Sequence, residues 1–337
     1  MTGLEDRRED TGASGSAAGP EARTVARPVE GPVAGDTSGR TAGAGSALLI
    51  TLLIGISFAL IWSSAFSVAK MLVTHSPPFA ISAIRFALAA MLAGGLALAL
   101  GQPFPRRAGA WRAIALLGLC QNTLYLGFFF TAMTVIPAGL AAIIASAMPL
   151  IVAAVAPRLL GERLGWARVA GIALGFGGVV WIMGSRVVGG VDLGGLGLAI
   201  LGTLALATAT LTVKRTDFGT GLLMVVACQM GIGALGCVPL ALLFEDVTAW
   251  DWTDETVPFL APAFAYAVLF PGIVATLLWF VLVKRVSAAG ASTFHFLNPV
   301  FGVGFAFLFL AEPVSARDAV GVAAVAAGIL IVNRARG

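Results

Sequence analysis

Charge is what this chain most lacks. Asp, Glu, Lys and Arg make up only 11% of its 337 residues, against the roughly 25% that keeps a globular surface hydrated. The shortage is uneven, because 12 of the 38 charged residues sit in the first 40 positions. With 58% hydrophobic residues and a mean hydropathy of +0.95 over the whole chain, the remainder cannot face water, so its solvent is lipid. Cysteine is scarce too. Cys120, Cys228 and Cys237 lie in apolar runs, with no CxxC pair and no histidine at ligand spacing. They read as buried small apolar residues rather than a disulfide framework or a zinc site, and no metal or other cofactor is expected. The net charge of +4 and pI near 9.3 do not indicate nucleic-acid binding, because no soluble basic face exists to carry it. The apolar runs do not alternate with period two, which excludes a β-barrel.

Residues 1–45 hold no aromatic side chain and are rich in Gly, Ala, Ser, Thr, Pro, Glu and Arg. Such a segment buries too little to offset its ordering entropy, so a disordered cytoplasmic tail is expected. From residue 46 the pattern changes. Apolar runs fall near 47–69, 78–100, 113–133, 137–156, 167–183, 195–213, 221–244, 259–283, 288–310 and 319–332. Crossing a hydrocarbon core of about 30 Å takes roughly 20 helical residues. The expected fold is therefore an all-α integral membrane protein with ten transmembrane helices.

Lys and Arg orient it. The segments expected inside hold 17 of them, and those expected outside hold three, Lys70, Arg186 and Arg317. The positive-inside rule then puts both termini in the cytoplasm, with the protein multi-pass in the plasma membrane. The outer loop at 245–255 has five acids and no base, which agrees.

An internal repeat appears when 137–183 is laid over 287–333 without a gap. Nine of 47 positions are identical, among them Pro149 with Pro299, Glu162 with Glu312, Gly171 with Gly321 and Gly178 with Gly328. Each half has five spans, and an odd number inserts the second copy upside down. Two inverted five-helix repeats, at 46–186 and 193–334, are a carrier architecture, since related halves exchange inward-open and outward-open shapes at similar energy.

With these residues in place the chain resembles the EamA family of the drug/metabolite transporter superfamily. The resemblance rests on Trp62 to Lys70 (WSSAFSVAK), on Pro78 with Arg85 and Phe86, on AMPL leading into LGERL (Ala147 to Leu164), and on NPV leading into LAEPV (Asn298 to Val314). It covers about residues 46–335. It implies two five-helix repeats around a central cavity and transport of small metabolites, often amino-acid efflux. Ser63 departs from the family's glycine after the first-span tryptophan, which puts close packing there in question.

Candidate cavity residues each admit two readings. Arg85, deep in its span, costs about 2.5–3.5 kcal/mol to insert unless it faces protein or water; it either snorkels to headgroups or binds a carboxylate in a cavity. Gln121, Asn122 and Tyr125 cluster within little more than a turn, lining a cavity or bonding between helices. His295, the only histidine within a span, shares a face with Asn298. Pro299 frees the carbonyl of residue 295, so the two make either a substrate contact beside a broken helix or a satisfied packing contact. Trp62, Tyr266 and Trp279 are cavity walls or core packing. Pro149, Pro271 and Pro299 are expected helix breaks. Glu162 and Glu312, at loop edges, are expected at helix N-termini or gates. No acid lies within any of the ten expected spans, leaving His295 as the sole titratable coupling candidate with a near-neutral reference pKa.

The expected function is a carrier for a small-molecule solute in the lipid bilayer, by alternating access and in the direction of efflux. A membrane enzyme is disfavoured, because no HExxH is present and the one DxxxD, Asp6 to Asp10, lies in the tail. A non-transporting receptor or scaffold is the remaining alternative.

Overall fold

The computed structural model describes residues 37–133, 135–136, 143–184, 192–310 and 316–335. Most of the expected tail, residues 1–36, and Glu312 lie outside the described residues. No strand occurs among the described residues, and Ala44–Gly337 forms one compact unit.

Lipid explains the uniformity. Without water, every backbone N–H and C=O must be paired within its own segment, and the helix does this alone. In order come α1 (Thr37–Thr74), α2 (Pro78–Ala99) and α3 (Ala108–Leu117). A π turn, Gly118–Leu124, joins α3 to α4 (Tyr125–Met133). Then follow α5 (Met148–Leu160), α6 (Trp166–Gly184), α7 (Leu193–Arg215) and α8 (Leu222–Phe244). Next, α9 (Val257–Ala267) passes through a second π turn, Val268–Val274, into α10 (Ala275–Arg285). Last, α11 (Ala288–Ser292) passes through a 3₁₀ turn, Thr293–Phe296, into α12 (Leu297–Leu310), and α13 (Ala316–Arg334) ends the series. Among the described residues, seven helical segments are long and apolar enough to cross a membrane by length and composition: Ser46–Ala65, Pro78–Ala99, Ile143–Leu160, Leu193–Arg215, Leu222–Phe244, Val257–Arg285 and Ala316–Arg334. Leucines and a phenylalanine more than two-thirds exposed, such as Leu235, Leu243 and Phe244, make sense only against lipid tails.

Helix ends differ in detail from the expected spans. The first helix begins at Thr37 and runs to Thr74. The last begins at Ala316, which brings Asp318 into its first turn as a buried acid. This corrects the expectation of acid-free spans. A carboxylate is favoured at that place by the positive end of the helix dipole.

The tightest packing is glycine-made. Gly171 of α6 lies against Gly328 of α13, and Gly178 against Gly321, so the two helices run antiparallel. A Cβ on Gly328 would sit 2.6 Å from the Gly171 carbonyl oxygen, and one on Gly178 would sit 2.8 Å from the Gly321 carbonyl oxygen. Only glycine lets backbones approach that closely. These contacts interchange when each residue is replaced by its partner 150 positions away. The Gly171–Val332 contact becomes Gly321–Ile182, and both are made. The two π turns, Gly118–Leu124 and Val268–Val274, are also 150 residues apart.

Candidate functional site

The first π turn opens the regular ladder, with the Tyr125 N–H bonded to the Cys120 carbonyl, and turns Gln121 and Asn122 inward. The second does the same 150 residues on, with the Ala275 N–H bonded to the Phe270 carbonyl, and presents Pro271 and Gly272. All four line one cavity of about 60 Å³. The rest of the wall is mostly apolar: Trp62, Ala65 and Ala69 of α1, Phe86 of α2, Leu126 and Phe129 of α4, and Met230 of α8. Tyr125 and Thr276 add hydroxyls, and Arg85 of α2 brings the only charge among the lining residues. A volume of this size holds a few waters and is far below the roughly 300 Å³ or more of a ligand pocket.

Arg85 is 8% exposed, with its guanidinium carbon 4.6 Å from the centre of the neighbouring Phe86 ring. Its Nε has no hydrogen-bond partner. Gln121 is 2% exposed, and its Oε1 is likewise unpartnered. Asn122 is committed elsewhere, since its Nδ2 donates to the Gln229 carbonyl and toward Met230 Sδ, both at 3.4 Å. Tyr125 stacks on Trp62 with ring centres 6.5 Å apart.

Five of the nine cavity candidates, Trp62, Arg85, Gln121, Asn122 and Tyr125, therefore meet at one void. The other four do not line it. His295 and Trp279 are buried in an aromatic box beside it, with their ring centres 4.9 Å apart and Phe58 packed on both. Trp62 joins the two regions, since its ring also meets His295 edge-on at 6.1 Å. The His295 Nδ1 pairs with Asn298 Nδ2 at 3.3 Å, and Ser63 Oγ donates to Asn298 Oδ1 at 3.2 Å. Ser63 thus replaces glycine's close approach with a polar tie between α1 and α12. Tyr266 is half-buried, hydrogen-bonded to Ser64 at 2.6 Å and stacked on Phe270.

The proline expectations have local counterparts. Pro149 and Pro299 stand in the first turns of α5 and α12, each just after a tight turn or 3₁₀ segment, where a missing N–H costs nothing. Pro271 lies inside the second π turn. Glu162 follows Gly161, whose φ of 66° ends α5 in the left-handed region that favours glycine. Its Oε1 accepts the Ala288 N–H at 2.7 Å, at the N-terminus of α11.

At the other end of the bundle, Glu245 accepts the Phe79 and Ala80 N–H groups at 2.6 and 3.0 Å, capping α2. His75 Nδ1 meets Asp251 Oδ2 at 2.8 Å. Between the central cavity and this end lies a void of about 10 Å³, walled by Ala69, Ile81, Ser82 and again Arg85. Beyond it opens a vestibule of about 560 Å³ around His75, Trp250 and Asp251.

Sequence reading missed Met230, Phe129 and Thr276 in the wall, which carry no signal apart from neighbours on other helices. It also missed Gln229, fully buried with both amide atoms unpartnered, whose signal was visible as a lone amide in an apolar run. Among the described residues no group of three or more His, Cys, Asp or Glu converges as for a metal.

Comparison with known proteins agrees with this architecture. Residues 49–184 and 193–334 each match the family model described as the EamA-like transporter family. A WAT1-related chloroplast protein of Arabidopsis thaliana is 27% identical over 81% of this chain and 66% of its own length. An uncharacterized transporter of Synechocystis is 24% identical, covering 81% of this chain and 87% of the relative. The uncharacterized inner membrane transporter YedA of Escherichia coli is 27% identical, covering 74% and 80%. A solved crystal structure superposes with a TM-score of 0.70 over 83% of this chain and 95% of the other, at 22% identity.

Proposed function

Because the chain belongs to the EamA-like transporter family of the drug/metabolite transporter superfamily, we propose that it carries a small organic solute across the plasma membrane by alternating access, in the direction of efflux. The carrying observation is the cavity itself. Its walls come from both matched segments, with Gln121 and Asn122 on one π turn facing Pro271 and Gly272 on the other. Inverted halves enclosing a midplane site are how one binding place serves two sides of a membrane.

Ten spans follow if Ala108–Met133, Trp166–Gly184 and Ala288–Leu310 are added to the seven long apolar segments. The contacts along α6 and α13 that interchange at an offset of 150 support two inverted five-helix repeats. The Lys and Arg asymmetry favours cytoplasmic termini, which makes the His75–Asp251 end external and the Glu162–Ala288 end internal. On this reading the void beside Arg85 is the start of the outward route. The Glu162 cap on α11 is part of the internal closure.

The test is flux. Purified protein in proteoliposomes loaded with a labelled metabolite mixture should release a subset of it faster than protein-free liposomes. Thr276→Leu, which fills the cavity, should abolish the difference while the protein stays monodisperse. Equal release from protein-free liposomes and proteoliposomes loaded with the same mixture, for every component, would leave a receptor or scaffold as the better reading.

A further inference from the structure

The carrier reading leaves the solute's chemistry open, and the wall of the cavity narrows it. Arg85 is a full positive charge in a buried side chain, 8% exposed, at the cavity wall, with an unpartnered Nε. A guanidinium in such surroundings keeps its charge, and a buried charge without a counter-ion is costly. Among the described residues no carboxylate lies within ion-pair distance of it. Glu245, the acid at the same end of α2, already accepts two backbone N–H groups. No Asp or Glu is among the lining residues. Among the described residues the cavity is one negative charge short.

We infer that the solute supplies that charge, and that it is a small monoanion, a carboxylate on an apolar body, rather than a zwitterionic amino acid or a cation. This deepens the carrier reading and rests on it. Each part of the wall has a counterpart in such a molecule. The guanidinium of Arg85 pairs with the carboxylate, a geometry for which its planar fork is suited. The aromatic surfaces of Trp62, Tyr125 and Phe129 take the apolar body. Gln121 Oε1, the second unpartnered buried atom at the cavity, accepts a hydrogen bond from a hydroxyl or amide N–H. An ammonium group finds no carboxylate among the lining residues, so an α-amino acid would exchange a solvated cation for neutral amide and hydroxyl oxygens. A phosphate monoester, with a charge near −2 at neutral pH, exceeds what one guanidinium neutralises.

Five ligands that share a phenyl group separate these cases: 3-phenylpropionate, its neutral amide 3-phenylpropionamide, 2-phenylethylamine, phenylalanine, and phenylphosphate as the dianion. Binding to the purified full-length chain at pH 7.5 is read by calorimetry and by quenching of tryptophan emission, since Trp62 lines the cavity. The expectation is that 3-phenylpropionate binds at least about tenfold more tightly than the amide, the amine, phenylalanine or phenylphosphate. Arg85→Gln should bring the anion down to the level of the amide and leave the amide unchanged, and Arg85→Lys should fall between. The wild-type ligand series decides the matter even if Arg85→Gln does not fold. Tighter binding of phenylalanine, the amine or phenylphosphate, or no binding by the anion, overturns the inference while leaving the carrier reading in place. Anion binding without flux in proteoliposomes removes the carrier reading, and the inference about its solute with it, and leaves only an anion site beside Arg85.

Discussion

The two π turns occupy the same place in their respective halves, yet they bring opposite chemistry to the cavity they share. At Gly118–Leu124 the turn presents an amide pair, Gln121 and Asn122; at Val268–Val274 the equivalent positions are Pro271 and Gly272. One side offers side-chain hydrogen bonds, the other no polar side chain at these two positions. Common backbone geometry with unlike side chains is what a duplicated scaffold needs if its site is to hold a solute in one orientation. The π turn repeats; the side chains on it do not.

The largest expected break in that comparison comes at the first residue of each turn. A Cβ on Gly118 would lie 2.6 Å from the Gln229 carbonyl oxygen and 2.8 Å from Ile232 Cβ, whereas the equivalent position is already Val268. Gly118→Leu should therefore destabilise by about 3 kcal/mol or more, while Val268→Leu costs less than about 1.5 kcal/mol. Thermal unfolding in detergent, followed by size-exclusion chromatography, distinguishes them.

Next in size is Gln121→Leu, which should lower solute flux by about tenfold while leaving thermal stability equal or higher, because an unpartnered buried acceptor is removed. A fall in stability with unchanged flux would reassign Gln121 to packing. Asn122→Ala is smaller, since its contacts at 3.4 Å are long. It should cost about 0.6–1 kcal/mol, typical of polar contacts between membrane helices, in the same unfolding assay.

The smallest effect sharpens the comparison most. The first π turn forms without any proline, so Pro271 is not required to make the second. Pro271→Ala should change stability by less than about 1 kcal/mol. A gain near 3 kcal/mol, the usual penalty for proline in a regular helix, would mean that the proline alone breaks the ladder there.

The ten apolar runs were legible in the sequence because lipid imposes one solution on every span, and hydropathy reports it. Their ends were less so. Asp318 read as loop because a carboxylate looks out of place in an apolar run, yet at a helix start the dipole and capping geometry favour it. Pro271 announced an irregularity, whereas nothing in Gly118 to Leu124 explains the matching π turn. The polar side chains were individually visible, since an amide, arginine or histidine in such a background stands out. Their partition was not. That His295 and Asn298 close on Ser63 and an aromatic box, while Gln121 and Arg85 face the void, depends on how α1, α2, the first π turn and the 3₁₀ turn with α12 are rotated, and no local pattern encodes that rotation.

The central claim, one site presented in turn to each side of the membrane, is tested most directly at Ala65, a small cavity-lining residue. With Cys120, Cys228 and Cys237 replaced by Ala, a cysteine at position 65 is treated with a membrane-impermeant maleimide from outside intact cells and, separately, in inside-out vesicles. Labelling from both sides, slowed from both by saturating solute, is the predicted result. Labelling from one side only, at a rate the solute does not change, would contradict it.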